Sequence, residues 1–244
     1  MDFVQALNYC KYAVYRDLGR LAINDTVCLE GDRMIATDGH RMHVAKIDGL
    51  LPGVSIPKAG IRTADAEALA YAFVGPIEKA SITDDHVEIF GPGHVGRAPL
   101  NPDRFPDWGL VVPQPSKTPF RVKAKDLRAA IRACRINDRK VESKGVRFLI
   151  DEDGIMLQPW LKTKDKDTGK VELLTSRSAF APWLGIPNPK AFVDTFVWMN
   201  QRYLEQAITG MQGSVEISIE KSLYPVLITS DDRTAVVMPM RGDD

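Results

Sequence analysis

The sequence predicts an α+β protein built from two similar domains in tandem. Its 244 residues are sufficient for two units of about 120 residues each. Helical spacing of apolar residues is followed by short runs of strand-type alternation, and this order repeats in the second half. Hydrophobic residues make up 44% and charged residues 26%, an ordinary composition for a folded protein.

The first half is predicted to begin with a helix and to continue in strands. Phe3, Ala6, Leu7 and Cys10 follow one another at helical spacings and predict an amphipathic helix. The segment TVCLEGDRMIATDG, residues 26–39, predicts two strands joined by a Gly-Asp turn.

A second helix and further strands complete this half. TADAEALAYAF, residues 63–73, predicts the helix, with Thr63 as a candidate N-cap and Asp65 in the first turn. Strands are predicted in residues 79–90 and 94–100, on either side of a Gly-Pro-Gly turn.

The second half repeats this order. A helix is predicted in residues 123–136, and a hairpin in residues 146–158 with Asp153-Gly154 at the turn. A later helix is predicted in residues 200–211. The strands predicted after it cover residues 214–219, 224–230 and 234–240.

The two halves share this pattern, although their residues hardly agree. Aligning VCLEGDRMIA with FLIDEDGIML pairs Val27 with Phe148, an offset of 121 residues that is close to half the chain. The repeat predicts two domains, residues 1–118 and 119–244. The proline-spaced segment from Val111 to Phe120 is the predicted linker.

Composition argues against several classes of protein. The chain has no apolar run long enough for a membrane span and no N-terminal signal pattern, so we expect a cytoplasmic protein. The three cysteines, Cys10, Cys28 and Cys134, are far apart, which favours buried apolar side chains over disulfides or metal ligands. We predict no cofactor and no metal.

The stretch MIATDGHRMHVAKI leaves a catalytic alternative open. Asp38 beside His40 could orient a general base, as in a hydrolase, but the chain contains no recognisable nucleophile motif. His40 and His43 would lie on opposite faces of a strand, and His86 and His94 form no ligand spacing with them. Catalysis and metal binding are therefore the weaker interpretations.

The strongest physical signal is a row of basic residues in the helix that begins the second half. Successive spacings of three and four residues keep the row within an arc of roughly 80°. Leu127, Ala130, Ile131 and Cys134 form a separate apolar face. Such a row is typical of a surface that follows a phosphate backbone without reading base sequence. Its members are Lys125, Arg128, Arg132, Arg135 and Arg139.

The distribution of charge supports this interpretation, although the formal net charge is zero. Residues 120–140 contain eight basic and two acidic residues, so they carry +6 and the rest of the chain carries −6. One basic helix on an otherwise acidic chain favours duplex DNA as a partner. The alternative is a helix whose basic side chains are only solvated by water. No aromatic residues interleave the row, which disfavours stacking on single strands.

Five motifs occur in an order that resembles one protein family. They are MIATDGHRMHVAKI, RFPDWGLVVP, KGVRFLIDEDGIMLQ, MNQRYLEQAI and the C-terminal PVLITSDDRTAVVMPMR. With these motifs the sequence resembles the bacterial sliding clamp, the β subunit of DNA polymerase III. The resemblance covers nearly the whole chain and corresponds to the second and third of the three domains usual in that family.

The resemblance implies the architecture of a ring-shaped processivity factor that is not an enzyme. Each clamp domain would place helices on an inner face around duplex DNA and antiparallel sheets outside. The basic row would face the DNA, together with Lys11 and Arg16 of the first helix.

The resemblance also implies a pocket into which DNA polymerase and the clamp loader insert short peptide motifs. Methionine, valine and proline are suited to an adaptable apolar groove. Met42 stands where the family usually has leucine, and the chain continues past Arg241 by Gly-Asp-Asp, which bears on the shape of the pocket. The implied wall residues are Ile23, Thr37, Gly39, His40, Arg41, Met42, Pro106, Val111, Val236, Met238, Pro239, Met240 and Arg241.

Two domains per chain imply three copies in a six-domain ring, so we expect a homotrimer closed head to tail. Three copies would place a charge of about +18 on the inner wall. One alternative is a clamp-derived regulator or decoy that binds partner peptides without encircling DNA. A hydrolase that uses Asp38 and His40 is a third, weaker hypothesis.

Overall fold

The computed structural model divides the chain into two compact units. The first spans Met1–Val112 with Asp231–Ala235, and the second spans Pro113–Ser230 with Val236–Asp244. The predicted boundary lies at residue 118, and the return of a late segment to the first unit has no counterpart in the prediction. The described residues are 1–14, 25–48, 50–72, 76–102, 104–116, 119–135, 145–150, 153–160, 162–164, 171–173, 178–184 and 196–241.

The described part of the first unit consists of a helix, four strands, a second helix and three strands. Asp2 caps the first helix, since its carboxylate accepts a hydrogen bond from the backbone N–H of Gln5 at 2.7 Å. Gly31, with a φ of 65°, supplies the left-handed residue of the first hairpin turn. The elements are α1 (Phe3–Cys10), β1 (Thr26–Gly31), β2 (Arg33–Thr37), β3 (Arg41–Lys46), β4 (Ile56–Arg62), α2 (Thr63–Ala72), β5 (Lys79–Ile82), β6 (His86–Gly91) and β7 (His94–Pro99).

Four of these strands pair antiparallel in the order β4-β1-β2-β3, and β5-β6-β7 form a separate antiparallel sheet. α1 packs on β2 and β3 and contacts α2, which packs on β4 and β7. Leu29, Met34 and Ile35 are fully buried, so β1 and β2 form the centre of the core. The two helices and the sheets therefore form two layers around one core.

The described part of the second unit begins with a strand and then follows a similar order. Asn200 caps its second helix by accepting hydrogen bonds from Arg202 and Tyr203 N–H. A last strand, β17 (Arg233–Val237), crosses the division between the units. The other elements are β8 (Phe120–Lys123), α3 (Ala124–Ala133), β9 (Gly145–Ile150), β10 (Gly154–Trp160), β11 (Lys162–Lys164), β12 (Val171–Leu173), β13 (Ala179–Pro182), β14 (Phe196–Asn200), α4 (Gln201–Ala207), β15 (Ser214–Ser218) and β16 (Val226–Thr229).

The strand order confirms the repeat predicted from the sequence. In the second unit four strands pair antiparallel in the order β14-β9-β10-β13, which matches β4-β1-β2-β3 with a central hairpin in each case. β11 and β12 form an additional hairpin, and β8, β15 and β16 pair antiparallel. α3 packs on β13 and contacts α4, so each unit has a pair of touching helices against its sheets. The predicted α+β class is therefore correct.

The helix that carries the basic row is shorter than predicted. α3 ends at Ala133 rather than at residue 136, because the N–H of Cys134 turns towards the carbonyls of both Ala130 and Ile131, at 3.2 Å each. Arg135 lies beyond the helix, and Arg139 lies outside the described residues. The five-residue helical row is therefore reduced to three residues on α3 itself.

Three smaller predictions also need correction. The strand predicted over residues 79–90 is two strands, because residues 83–85 form a turn closed by a hydrogen bond from Thr83 N–H to the His86 carbonyl at 2.9 Å. α4 ends at Ala207 instead of residue 211, and Gly210 in the following turn has a φ of 72°. Thr63 is the first residue of α2, and its hydroxyl donates to the carbonyl of Asp25 at 3.2 Å, outside the helix.

Candidate functional site

The basic row lies on α3, whose buried face determines which side chains are exposed. Leu127 and Ile131 are fully buried, with Ala130 beside them. Lys125 and Arg132 are exposed on the other side of the helix. The 3.6-residue period thus separates the apolar and cationic side chains as predicted.

Arg128 is held by the end of α4. Its Nη2 donates to the carbonyl oxygens of Met211 at 2.7 Å and Ile208 at 3.4 Å. These carbonyls lie just past the C-terminal end of α4, where backbone acceptors lack helical partners and the helix dipole is negative. Arg128 therefore fixes α3 against α4, in addition to any role at the surface.

Arg135 is held by a carboxylate on α4. Its Nε donates to Oε1 of Glu205 at 2.6 Å, and its Nη2 pairs with Oε2 of the same residue. This two-point contact matches the planar guanidinium to the planar carboxylate. The hydrogen bond from Arg135 to Glu205 raises the pKa of the guanidinium.

The three arginines Arg128, Arg132 and Arg135 line a cleft of about 330 Å³ between α3 and α4. Glu205 and Gln212 lie on its α4 side. The helix–helix contact brings together residues 70 to 83 positions apart, so the spacing of residues along α3 could not predict the contribution of Glu205. We name this the α3–α4 cleft.

The equivalent helices of the first unit also enclose a cleft, of about 310 Å³. Its lining is more apolar and includes Val4, Tyr71 and a single lysine, Lys11, with Glu67 on α2. Lys11, one of the two residues of the first unit that were expected to face DNA, begins a short 3₁₀ turn directly after α1. Arg16, the other, lies outside the described residues. We name this the α1–α2 cleft.

The segment that raised the catalytic alternative forms the turn between β2 and β3. Gly39 has a φ of 81°, which favours glycine. Thr37 accepts from Gly39 N–H at 3.2 Å and donates to the Arg41 carbonyl at 2.8 Å. His40 is exposed at the tip, while Arg41 and Met42 are buried at the start of β3.

Asp38 serves this turn and does not orient the His40 ring in the described contacts. Its Oδ1 accepts from the backbone N–H groups of His40 and Arg41, at 3.0 and 2.9 Å. Its Oδ2 accepts from Nε of Arg41 at 3.0 Å. Because the carboxylate is used by the backbone and by Arg41, the geometry does not favour an Asp38–His40 dyad.

Pro106 and Val111 lie on a segment of the first unit that is anchored from both sides. Phe105 is buried, and the indole Nε1 of Trp108 donates to Glu30 at 2.7 Å. Leu110, which the sequence interpretation missed, is 85% exposed. An apolar side chain so exposed beside half-exposed Val111 is a feature of contact surfaces, although no spacing rule identifies it from sequence.

The C-terminal residues of the implied pocket belong to the second unit. Val236 is buried at the end of β17, and Met238 is exposed just after it. The backbone N–H of Met240 donates to the Trp198 carbonyl at 2.7 Å, which fixes the segment that contains Pro239 and leads to exposed Arg241. Ile23, the remaining implied wall residue, lies outside the described residues.

His43 is part of the first unit's core. Its ring stacks on Tyr9 with centroids 4.5 Å apart, and Nδ1 lies 2.9 Å from the Tyr9 carbonyl, so this nitrogen carries the proton. Burial lowers the pKa of His43 to about 4. Its Nε2 has no hydrogen-bond partner among the described residues. The imidazole is therefore a neutral core side chain.

The cysteines are buried free thiols, as predicted. Burial raises the pKa of Cys28 to about 12 and that of Cys134 to about 11, so neither is a thiolate near neutral pH. Among the described residues no group of three His, Cys, Asp or Glu side chains could hold a metal ion. None of the described helices is long and apolar enough to cross a membrane.

Solved bacterial sliding clamps have a similar arrangement of helices and sheets. The DNA polymerase sliding clamp of Pseudomonas aeruginosa matches with a TM-score of 0.71 and 19% identity, over 98% of this chain and 64% of the clamp. The β sliding clamp of Caulobacter crescentus gives 0.69 and 18%, over 99% and 65%. The DNA polymerase III subunit beta of Borrelia burgdorferi gives 0.69 and 17%, over 98% and 61%. No protein-family model and no curated protein matches the chain.

These identities are low, so the likeness concerns the fold. The chain spans about 64% of the length of the P. aeruginosa clamp. The fold agrees with the resemblance seen in the sequence motifs and with the strand order repeated in the two units. The chain therefore has the α+β fold of the bacterial sliding clamp, the β subunit of DNA polymerase III, over a length shorter than the whole clamp.

Proposed function

We propose that the chain is a DNA sliding clamp, a non-enzymatic processivity factor that encircles duplex DNA and tethers a polymerase. The observation that carries this proposal is the arginine-lined α3–α4 cleft on a clamp fold. Guanidinium groups on an exposed helix face attract phosphates, and the fold gives that attraction a known use.

The proposed ring would hold DNA by topology and slide because its contacts are to phosphate. Contacts that ignore base sequence cost nearly the same at every position along the duplex, so no position traps the protein. The helices would form the inner face and the sheets the outer wall. The side chains proposed to face DNA are Lys11, Arg16, Lys125, Arg128, Arg132, Arg135 and Arg139.

The proposal includes a docking site for short peptides of the polymerase and the clamp loader. Exposed Leu110 and Val111 of the first unit support it, because exposed apolar side chains suit a peptide anchor. The proposed walls are the residues implied by the resemblance, with Leu110 added.

A matched pair of histidine variants tests this docking site. We expect His40→Ala to weaken binding of a labelled peptide from the clamp-binding segment of a bacterial replicative polymerase by about tenfold, measured by fluorescence anisotropy. His86→Ala, on the separate β5-β6-β7 sheet of the same unit, is the control and should bind as the wild type does. Equal affinities in the two variants would contradict the docking site. If the protein were instead a hydrolase that uses Asp38 and His40, His40→Ala would abolish an enzymatic activity.

The proposed ring is a homotrimer of this 244-residue chain. Two clamp units per chain require three copies for six units, joined head to tail. Size-exclusion chromatography with light scattering should therefore give three times the 27.1 kDa chain mass at micromolar concentration. A monomer or a dimer would contradict the closed trimer.

Topological binding is tested by loading the protein on nicked circular DNA and then linearising the circle. A clamp should stay on the circle at high salt and leave after linearisation, because only the ends let a closed ring slide off. Loss from both forms would favour a second candidate, a clamp-derived regulator that binds partner peptides without encircling DNA. That candidate is supported by the engagement of Arg128 and Arg135 in contacts within the second unit.

A further inference from the structure

The α3–α4 cleft contains one acidic side chain among its arginines. Glu205 lies on α4, and its side chain is only 19% exposed. A carboxylate inside a cationic cleft opposes the binding of any anion there, both by repulsion and by occupying donors. A general attraction of the surface for DNA does not explain why a carboxylate lies at this position.

Arg128 and Arg132 differ in their freedom to bind an anion. Arg128 is committed through Nη2 to two carbonyls at the end of α4. Arg132, one turn further along α3, is exposed and has no partner among the described residues. A phosphate entering the cleft would therefore meet Arg132 as its available donor, beside the fixed charge of Arg128.

The Nε–Nη2 edge of Arg135 is available to a phosphate only in competition with Glu205. Both oxygens of the Glu205 carboxylate accept from the Arg135 guanidinium, so the carboxylate occupies the fork that a phosphate would use. A phosphate oxygen gains those donors only if the ion pair opens. The ion pair thus lowers the affinity of the cleft for phosphate without removing its positive charge.

We propose that the α3–α4 cleft is a discrete phosphodiester-binding subsite and that Glu205 limits its affinity by holding Arg135. The identification of the phosphodiester as duplex DNA rests on the proposed function. Glu205 is a positioning residue that acts through Arg135. A limited affinity suits a surface that must release each phosphate as it moves to the next.

The test compares two glutamates that each pair with an arginine in the second unit. Glu205→Gln removes the charge in the cleft. Glu216→Gln is the matched control, because Glu216 accepts from Nε of Arg121 at 2.7 Å on the paired strands β8 and β15. Both variants change the net charge equally. The probe is a short linear duplex of random sequence, titrated by fluorescence anisotropy at several salt concentrations.

We expect Glu205→Gln to bind the duplex about fivefold more tightly, with a salt dependence steeper by about one unit of log–log slope. Glu216→Gln should stay within about twofold of the wild type. Adding Arg132→Ala to Glu205→Gln should abolish most of the gain. The steeper slope is a readout that a purely structural role of Glu205 would not change, because it counts phosphates neutralised.

Equal gains in the two glutamine variants would overturn the proposal, since net charge alone would then explain them. No gain in Glu205→Gln would overturn it as well. The linear duplex separates this outcome from the fate of the clamp itself. If Glu205→Gln gains affinity but the wild type is not retained on circular DNA, the subsite stands and the ring fails. Retention on circles without a Glu205→Gln gain leaves the clamp and removes the subsite.

Discussion

The two helix pairs of the molecule have the same fold and different chemistry. α1 with α2, and α3 with α4, each touch within one unit and enclose clefts of about 310 and 330 Å³. The α1–α2 cleft is lined by Val4, Leu7 and a Tyr71 that is 90% exposed. The α3–α4 cleft is lined by three arginines. The two units therefore share a pair of touching helices but differ in the charge of the side chains that line the cleft.

This difference shows that packing constrains the buried residues of each helix and leaves the exposed residues free to vary. In both pairs leucine and alanine fill the buried face, since any helix on a sheet must exclude water there. The exposed face is free of that requirement, so its charge carries functional information. If the proposed function is correct, the second unit would supply most of the attraction for DNA.

The largest expected effect tests whether the two helix pairs are packed alike. Leu7→Ala in α1 and Leu127→Ala in α3 should each lower the free energy of unfolding by about 2–5 kcal/mol, because both leucines are buried and each truncation leaves a cavity. Urea denaturation of each variant measures the loss. A much smaller effect in one helix would show that the two pairs are not packed alike.

A smaller effect distinguishes the cores of the two units by the pH dependence of their stability. All four histidines lie in the first unit, and the pKa of buried His43 is about 4, below the ordinary 6.5. The unfolded chain therefore binds the proton first, and the contribution of His43 is complete above about pH 6.5 and lost as pH falls towards 4. Between about pH 7 and pH 5 the first unit should lose about 2 kcal/mol.

Hydrogen exchange resolved by unit measures this pH effect. The second unit, with no histidine, should change little over the same range. His86 contributes in the opposite direction, because its hydrogen bond to Asp85 raises its pKa, but it is partly exposed. His43→Phe should keep the stacking on Tyr9 and flatten the pH dependence of the first unit. If the stability of the first unit depended on pH as steeply in that variant as in the wild type, a group other than His43 would be responsible.

The smallest expected effect tests the difference between the clefts. Arg132→Glu should lower affinity for a linear duplex by more than about tenfold, whereas Lys11→Glu should lower it by about threefold or less. Both substitutions reverse one charge on a side chain that lines a cleft between two helices. Fluorescence anisotropy at constant ionic strength compares them. Equal losses would mean that the two helix pairs contribute alike.

Much of the fold could be predicted from sequence because its signals are local. Period-3.6 and period-2 alternation identified α1 and the hairpins, and the offset between Val27 and Phe148 anticipated the repeated sheet order. The ends of α3 and α4 were extended too far. Their final turns depend on backbone hydrogen bonds and on Gly210 in a left-handed conformation, which compete with side-chain periodicity.

The candidate sites could be predicted less completely because their decisive contacts are distant in sequence. The spacing of arginines on α3 was visible, but the carbonyls that hold Arg128 and the carboxylate that holds Arg135 come from α4. The sequence made catalysis by Asp38 and His40 the weaker interpretation, but it did not indicate the bond from Arg41 to Asp38, which depends on the turn that Gly39 allows. Family motifs pointed to the pocket residues, and that assignment stays a prediction.

The late segment of the first unit bears on how the protein is made. Asp232 accepts a hydrogen bond from Lys46 N–H at 2.9 Å, and the Arg233 guanidinium lies 5.4 Å from the centroid of the Tyr9 ring. The ribosome synthesises these residues only after all of residues 113–230. The first unit therefore cannot complete its fold until residues 231–235 have followed the whole of residues 113–230 out of the ribosome.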